Sequence, residues 1–377
     1  MDRDMSAFVG AGCELLGFGE PTHQEPAFGW VRNEVFAGLV ETGFSSIALE
    51  TDRVAALLVD DFVRTGIGDL DAVMRDGFSH TFGELETNRA LVRWLREYNA
   101  GVPVERRVGF HGFDAATEMM SAPSPRRYLE FGRDYLGLEL DVAGLAGPDE
   151  RWSCTEAIMD PASSPGDSAE ADRLRVIADD LLTVLYTRAP ELIAKTSRAD
   201  WYRAETHLTT GLGLLRYHKQ SAERLEQQER ISRLSSVRDA LMAQNLLDIR
   251  RVEAGRGGTL VFANNLHLQR NTSAWRLGGM DYTWSSAGSI VARLVGRQYA
   301  FVAGSLGRSE AVGLGEPAPD TYESFLQSRT TSWGLIPAKD VPPARTRTET
   351  TPEQGYFPLD QATVDGADAI LHISAGA

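Results

Sequence analysis

Two glutamates and two histidines follow short apolar runs in the chain, and their side chains are the kind that move protons. They are Glu20 and His23 after residues 14–18, Glu50 after residues 46–49, and His267 after residues 259–263. Short apolar runs of this kind are typical of the buried strands of parallel sheets. Because the carboxyl ends of parallel strands meet at one sheet edge, where ligands bind, we expect these four side chains to share a cleft. The pattern predicts an enzyme.

His23 is the best candidate for a general base. Imidazole has an ordinary pKa of about 6.5, so near neutrality it can take a proton from water and later return it. Such a base needs a partner on its other ring nitrogen, which fixes the tautomer and the orientation of the ring. Glu20, three residues earlier, and Glu50, at the end of the next strand, are the available carboxylates.

A carboxylate at the end of an apolar run, such as Glu50, needs a cationic partner because burying an unpaired charge costs free energy. Arg32 or Arg53 could supply it. Arg32 lies about two and a half helical turns after His23, so it could form an ion pair with Glu50 or Glu20. Alternatively, it could stabilise a developing oxyanion. The structural role is the one we favour.

The remaining histidines divide into two groups. His80 lies in a predicted loop and is a candidate substrate contact, whereas His111 lies inside a predicted strand and fits a core position or a site position equally well. The three other histidines fall on predicted helices or on a late strand and are predicted to be structural: His207, His218 and His372.

Two other kinds of site are weaker interpretations. Two histidines and two glutamates could bind Zn²⁺ or Mn²⁺, but there is no HExxH motif and no close histidine pair. There is also no GxSxG elbow for a nucleophilic serine, and neither Cys13 nor Cys154 has a suggestive context. The sequence therefore favours a histidine that activates water directly, with no metal and no cofactor.

The elements that must position these residues alternate between short apolar runs and amphipathic segments. The runs at 14–18, 45–49, 107–113, 259–263, 299–303 and 367–373 predict strands, and the segments at 28–42, 52–65, 88–98 and 286–295 predict helices. The pattern predicts an α/β fold with a mostly parallel sheet flanked by helices. Residues 122–255 are predicted to be a mainly helical insertion within a single domain of residues 1–377. Residues 336–352 are predicted to be a surface loop.

The composition limits the partners of the protein. The formal net charge is 38 − 53 = −15, which repels phosphate backbones and argues against nucleic acid binding. No apolar stretch has the roughly 20 residues that a membrane span needs, and none resembles the apolar core of a signal peptide. With two cysteines and no disulfide framework, a cytoplasmic protein that acts on a small molecule is expected. The sequence does not indicate an oligomeric state.

Short polar and aromatic segments recur along the chain in a specific combination. They are Gly19-Glu20-Pro21-Thr22-His23, Arg32, Gly43-Phe44 before Glu50, Trp94-Leu95-Arg96-Glu97-Tyr98-Asn99, Gly112-Phe113-Asp114, Val237-Arg238-Asp239 with Met242 and Asn245, and residues 263–267. From about residue 14 to 373, the chain resembles the erythromycin esterase family.

The resemblance implies an α/β core with added helices around an open cleft, and hydrolysis of the lactone ester of macrolides without a required metal. It also implies roles for particular residues. His23 matches the histidine that activates water, Glu20 and Glu50 match the glutamates around it, and Arg32 matches the associated arginine.

This chain departs from the family pattern at a residue next to His23 and at a residue close to His267. The family usually reads Ala-His-Asn-x-His where this chain has Asn264 in place of the first histidine, and Gln24 replaces a small residue after His23. An amide can donate or accept a hydrogen bond but cannot carry a proton. Asn264 and Gln24 are therefore candidate substrate-binding residues, and His111 could compensate for the missing histidine.

Three functions follow from these observations. The first is an ester or lactone hydrolase acting on a small natural product, with His23 as base and with His267, Asn264 and Arg32 stabilising the transition state. The second keeps the fold and directs the base towards cyclisation, elimination or acyl transfer, and the missing histidine motivates it. The third is a protein whose cleft only binds a small molecule.

Overall fold

The computed structural model describes residues 4–10, 12–118 and 120–376. Its strands are β1 (Leu15–Glu20), β2 (Phe44–Asp52), β3 (Gly109–Asp114), β4 (Gly258–Asn264), β5 (Thr272–Leu277), β6 (Met280–Ser285), β7 (Tyr299–Arg308), β8 (Trp333–Pro337) and β9 (Ala369–Ala375). Seven strands form one sheet in the order β3-β2-β4-β1-β7-β9-β8. Every neighbouring pair in it is parallel except β8 with β9, while β5 and β6 form a separate antiparallel pair.

Helices lie on the sheet and between its strands. They are α1 (Pro26–Glu41), α2 (Ala56–Thr65), α3 (Leu70–Asp76), α4 (Glu86–Ala100), α5 (Arg126–Leu136), α6 (Val142–Ala146), α7 (Glu150–Ser153), α8 (Thr155–Met159), α9 (Ala169–Thr187), α10 (Ala189–Lys195), α11 (Arg198–Ser221), α12 (Gln227–Glu253), α13 (Asn265–Leu268), α14 (Ala287–Val295), α15 (Tyr322–Gln327) and α16 (Gln361–Gly366). The predicted α/β fold with a helical insertion is confirmed, since α5 to α12 separate β3 from β4. In the described ranges, no helix combines the length and the apolar composition that crossing a membrane requires.

The first two strands extend further than their apolar runs predict. β1 includes Glu20 and β2 includes Glu50, and both side chains are buried. The backbone pairing continues to these ends, since Glu20 lies opposite Asn264 on β4 and Asp52 lies opposite Asp114 on β3. Helix α2 begins later than predicted, because Asp52 still belongs to β2 and its carboxylate accepts the backbone N–H groups of Val54 and Ala55.

Several elements were not predicted. They are the β5–β6 hairpin, helix α3 and the antiparallel strand β8. The two strands of the hairpin pair across Gly278-Gly279, whereas β8 pairs with β9. The prediction of a surface loop over 336–352 is wrong in part, because Val341 and Arg347 are buried. Arg347 is held inside by its hydrogen bonds to the carbonyls of Gly307 and Gly315.

The apolar core lies on both faces of the sheet. On one face, side chains of β1 such as Phe18 pack against α1, α2 and α4. On the other, Leu15 and its neighbours pack against α12, α14 and α15. The insertion has a further core of its own around Trp152. With both faces covered, the carboxyl edge of the sheet is the place where polar side chains can gather.

Gly288 lies where α14 meets α13. A Cβ atom there would stand 1.9 Å from the carbonyl oxygen of Leu268, which is backbone and cannot rotate away. We expect Gly288→Ala to lower the free energy of unfolding by at least the ~1–3 kcal/mol typical of overpacking, as measured by urea denaturation. Gly38→Ala is the control, because this exposed position in α1 has no atom within 4 Å of the new Cβ. The control is expected to raise stability by about 0.5–1 kcal/mol, and equal losses in both variants would contradict the prediction.

Candidate active site

The strand order brings distant parts of the chain to one place. β4 lies between β2 and β1, and Glu20 at the end of β1 stands beside Asn264 at the end of β4. Glu50 on β2 accepts a hydrogen bond of 3.0 Å from the backbone N–H of Asn264. Glu20, Glu50 and the turn that carries His23 therefore share the carboxyl edge of the sheet.

His23 lies in the turn between β1 and α1. Its Nδ1 atom is 2.7 Å from Oε1 of Glu20, which orients the ring. Its Nε2 atom is 3.7 Å from Oε2 of Glu50, a distance too long for a hydrogen bond. The side chain is 35% exposed, so Nε2 can be reached by a water molecule or a substrate.

His267 has a matching arrangement on the opposite side of Glu50. Its Nδ1 atom is 3.1 and 3.0 Å from the two carboxylate oxygens of Asp239 on α12. Its Nε2 atom is 3.4 Å from Oε1 of Glu50. Asp239 also accepts the backbone N–H of Ala287, which fixes the carboxylate at the start of α14. Glu50 thus lies between two imidazoles, each supported on Nδ1 by a carboxylate of its own.

The cation that pairs with Glu50 is Arg238 on α12. Its Nη2 atom is 3.2 Å from Oε1 of Glu50 and 2.6 Å from Oδ2 of Asp114, at the end of β3. Arg32 and Arg53, the two candidates for this role that the sequence offered, do not form the ion pair with Glu50. Arg53 bonds to Asp248 and to Asn245 instead. Helix α12 packs on β3, and this long-range contact is not visible in the spacing of the sequence.

Arg32 is buried, and the hydrogen bonds of its guanidinium go to neutral groups. These are the side-chain oxygens of Asn33 and Asn88 and the carbonyl of Thr87. The guanidinium also lies 4.9 Å from the ring centroid of Phe262. In the described structure it makes no ion pair with Glu20 or Glu50, so the favoured ion-pair interpretation is not supported. Its proposed action on an oxyanion stays a prediction.

The electrostatics of the site follow from burial and from these charges. Burial tends to raise the pKa of Glu50, but the positive charges of His267, His23 and Arg238 lower it to about 2. Burial tends to lower the pKa of each histidine. The pKa of His23 is nevertheless raised by Glu50 and Glu20, and that of His267 by Asp239 and Glu50. Burial raises the pKa of Glu20, and the hydrogen bond from His23 opposes this.

The raised pKa of His23 predicts an alkaline shift of activity. A general base works in its neutral form, so kcat/KM is expected to rise with pH through a midpoint above the ordinary 6.5. Glu20→Gln removes a charge that favours the protonated ring, and the midpoint should fall. The measurement is the pH profile of kcat/KM in wild type and variant. The control is Glu14→Gln, at the opposite end of the β1 region. A midpoint that stays unchanged or rises in Glu20→Gln would refute the assignment of His23 as the general base.

The other predicted site residues take varied positions. The Oδ1 atom of Asn264 accepts the backbone N–H of Leu266 and caps α13. His80 binds two carboxylates, Asp114 and Glu118. Gln24 lines the site cavity. His111 contacts Glu253 at 2.8 Å and lines a separate cavity of about 400 Å³ between β3, α2, α11 and α12.

The cavity in front of His23 has a volume of about 210 Å³. Its lining combines polar side chains, which are Glu20, His23, Glu50, Gln24 and Arg32, with apolar ones, which are Leu49, Phe82, Leu85 and Phe262. Two of the apolar rings lie close to polar groups, since Phe82 contacts His23 and Phe262 contacts Arg32. A carbonyl compound that reacts at His23 would therefore also contact an apolar surface. Among the described residues, no three His, Cys, Asp or Glu side chains are arranged so that they could hold a metal ion.

The sequence analysis assigned no role to three residues of this site: Asp114, Arg238 and Asp239. All three lie in segments that carry the family resemblance, which was the available signal. Their roles depend on the packing of α12 against the sheet edge and could not be read from local patterns.

Comparisons with known proteins agree with this architecture. A family model described as erythromycin esterase matches residues 39–372. The fold is similar to that of a Bacillus cereus protein (TM-score 0.72, 17% identity, 99% of this chain and 90% of that chain). It is also similar to a succinoglycan biosynthesis protein (0.67, 14%, 99% and 90%) and to a mutant of erythromycin esterase EreC in its open conformation (0.68, 17%, 99% and 93%). Identities this low show a shared fold. No curated protein gave a significant sequence match.

Proposed function

The chain belongs to the erythromycin esterase family, which supports a hydrolase-type function, and on this premise we propose that it hydrolyses an ester or lactone of a small molecule. The observation that carries the proposal is the pair of imidazoles around Glu50. Nε2 of His23 is accessible and its other nitrogen is fixed by Glu20 at 2.7 Å. Nε2 of His267 lies across Glu50, and its other nitrogen is fixed by Asp239.

In the proposed reaction, neutral His23 accepts a proton from water through Nε2. The water oxygen attacks the carbonyl carbon, and the electron pair of the carbonyl moves to its oxygen. Protonated His267, whose pKa is raised by Asp239 and Glu50, does not line this cavity, and its positive charge acts on that negative charge from across Glu50. The carbonyl then re-forms, the C–O bond to the leaving alkoxide breaks, and His23 returns its proton to that oxygen. The products are a carboxylic acid and an alcohol.

The anionic Glu50 supports both histidines in this scheme. It favours the imidazolium that forms on His23 and keeps His267 protonated. Arg238 in turn keeps Glu50 ionised, since the pKa of this glutamate is held at about 2 by the surrounding positive charges. The residues are thus suited to move one proton back and forth at His23.

The test is a panel of esters and lactones incubated with the protein in H₂¹⁸O. We expect formation of acid that carries one ¹⁸O atom, because the attacking oxygen comes from water. A chelator is added in a parallel series, and turnover should be unchanged. Turnover lost with the chelator would overturn the proposed route through His23 alone, and absence of hydrolysis over the whole panel would overturn the hydrolase proposal.

A second candidate is cyclisation, elimination or acyl transfer on the same fold. Asn264 favours it, because this residue stands where the family usually has a histidine. The amide of Asn264 caps α13 and cannot take up or release a proton as a histidine would. The labelling experiment separates the two functions. A product that contains no ¹⁸O from water would support the second candidate and contradict hydrolysis.

A further inference from the structure

The segment from His80 to Leu85 forms one wall of the site cavity and has an unusual backbone. His80 and Thr81 are consecutive non-glycine residues with φ angles of 57° and 59°. Within the described chain, the only other such residue is Asp320. Left-handed conformations at non-glycine residues cost free energy and persist where the surroundings hold them, often at functional sites. The contacts of this segment therefore show what holds His80 and Thr81 in the left-handed conformation.

His80 is held by carboxylates on both ring nitrogens. Nδ1 is 2.6 Å from Oε2 of Glu118, and Nε2 is 2.8 Å from Oδ2 of Asp114. The backbone N–H of His80 also donates to Oε1 of Glu118. Although burial opposes it, these hydrogen bonds raise the pKa of His80 to about 9. With both nitrogens engaged, His80 has no ring nitrogen to offer a substrate, so its effect must be exerted through its neighbours.

The neighbour that reaches the cavity is Phe82. Its ring centroid is 5.6 Å from that of His80 and 5.2 Å from that of His23, so it contacts both imidazoles. The carbonyl of Phe82 accepts a 2.8 Å hydrogen bond from Asn88, whose Oδ1 atom accepts one from Arg32. The backbone of Phe82 is therefore fixed on one side through Arg32, and its ring is bounded on the other by His80.

We propose that Phe82 determines substrate specificity by limiting the space beside His23, and that His80 is the positioning residue that keeps the ring there. The inference rests on the proposed hydrolase function and names its substrate class. In a cavity of about 210 Å³, the group that faces Phe82 and Leu85 must be compact and apolar, such as a short acyl chain. Longer chains would collide with the ring of Phe82.

The strain at His80 and Thr81 fits this role. His80 is an imidazolium between Asp114 and Glu118, and without it two carboxylates would face each other across the segment. The segment would then relax from its left-handed conformation, and the ring of Phe82 would move from the cavity wall. Replacing His80 should therefore have the same direction of effect as removing the ring itself.

The first readout is kcat/KM for p-nitrophenyl acetate, butyrate, hexanoate and octanoate. We expect wild type to prefer the short esters and Phe82→Ala to prefer an acyl chain longer by at least two carbons. His80→Gln should shift the preference in the same direction by a smaller amount. His207→Gln is the control, since that ring stacks on Phe131 in the insertion. An unchanged preference in either Phe82→Ala or His80→Gln overturns the proposal.

The second readout needs no turnover, so it distinguishes failure of this inference from failure of the hydrolase proposal. Because the two ring centroids are 5.2 Å apart, the ring current of Phe82 should shift the ring resonances of His23 in NMR spectra. Phe82→Ala and His80→Gln should both move those resonances, and His207→Gln should leave them in place. If His80→Gln does not fold, Glu118→Gln removes one of the two carboxylates at an exposed position. His23 resonances that stay unchanged in the folded His80 or Glu118 variant overturn the positioning role.

Discussion

Replacing His23 with glutamine is expected to lower kcat/KM for ester hydrolysis by about 10²–10⁴-fold, the range typical of a lost general base. Glutamine has a similar length and its side-chain NH2 group can still donate a hydrogen bond to Glu20, but it cannot carry a proton at neutral pH. Because the side chain lies in a turn and is 35% exposed, the fold should tolerate the change. The measurements are initial rates with the best substrate of the panel and the unfolding midpoint in urea.

His207→Gln is the matched control for this experiment. It removes an imidazole that hydrogen-bonds to the carbonyl of Arg203 on α11, outside the site cavity. Its kcat/KM should stay close to that of wild type. If His23→Gln retained wild-type turnover, or if both variants lost activity equally, His23 could not be the base.

Replacing Arg238 with methionine is expected to lower the free energy of unfolding by about 3–5 kcal/mol, as for other broken buried ion pairs. The guanidinium lies between Asp114 and Glu50, which are 0% and 5% exposed, and these carboxylates would be left facing each other. Methionine fills a similar volume, so the loss reflects charge more than packing. Urea denaturation measures it, and kcat/KM should fall as well because Glu50 no longer has its cationic partner.

The same helix provides the control. Arg233 on α12 pairs with Glu229 at the surface, where both side chains are 51% exposed, and Arg233→Met should cost less than about 1 kcal/mol. A double variant, Arg238→Met with Asp114→Asn, should regain part of the stability, since one of the two stranded charges is removed. Equal losses for Arg233 and Arg238 would contradict the role of the buried network.

The parallel core and the sheet edge that carries the candidate site could be predicted because local signals suffice for them. Apolar runs followed by Glu20, Glu50 or His267 identify the ends of strands, and the topology of parallel sheets then brings these ends together. The positions of β8 and of the β5–β6 hairpin were not predicted in this way. β8 is a short strand that pairs with β9, which begins only at Ala369. The hairpin carries a local signal of another kind, because Gly278-Gly279 separates two short runs that pair with each other.

The partners of the candidate site residues were harder to predict than those residues themselves. Asp239 supports His267, and Arg238 supports Glu50, through the packing of α12 on the sheet edge. The 27 residues of α12 place side chains on all sides of the helix, and the sequence alone does not indicate which of them contact the sheet. For Arg32 the sequence suggested an ion pair that does not form. Its helical position is close to His23, but its guanidinium donates hydrogen bonds to Asn33 and Asn88 instead.

The position of β1 in the sheet has a consequence for synthesis of the protein on the ribosome. β1 emerges first among the strands, yet its partner strands are β4 and β7, which begin at Gly258 and Tyr299. Its six residues are all buried in the folded protein, but they have no partner strand until β4 has been translated. A nascent chain of this topology exposes an apolar strand for a long time, so its yield should depend on chaperones that shield such segments.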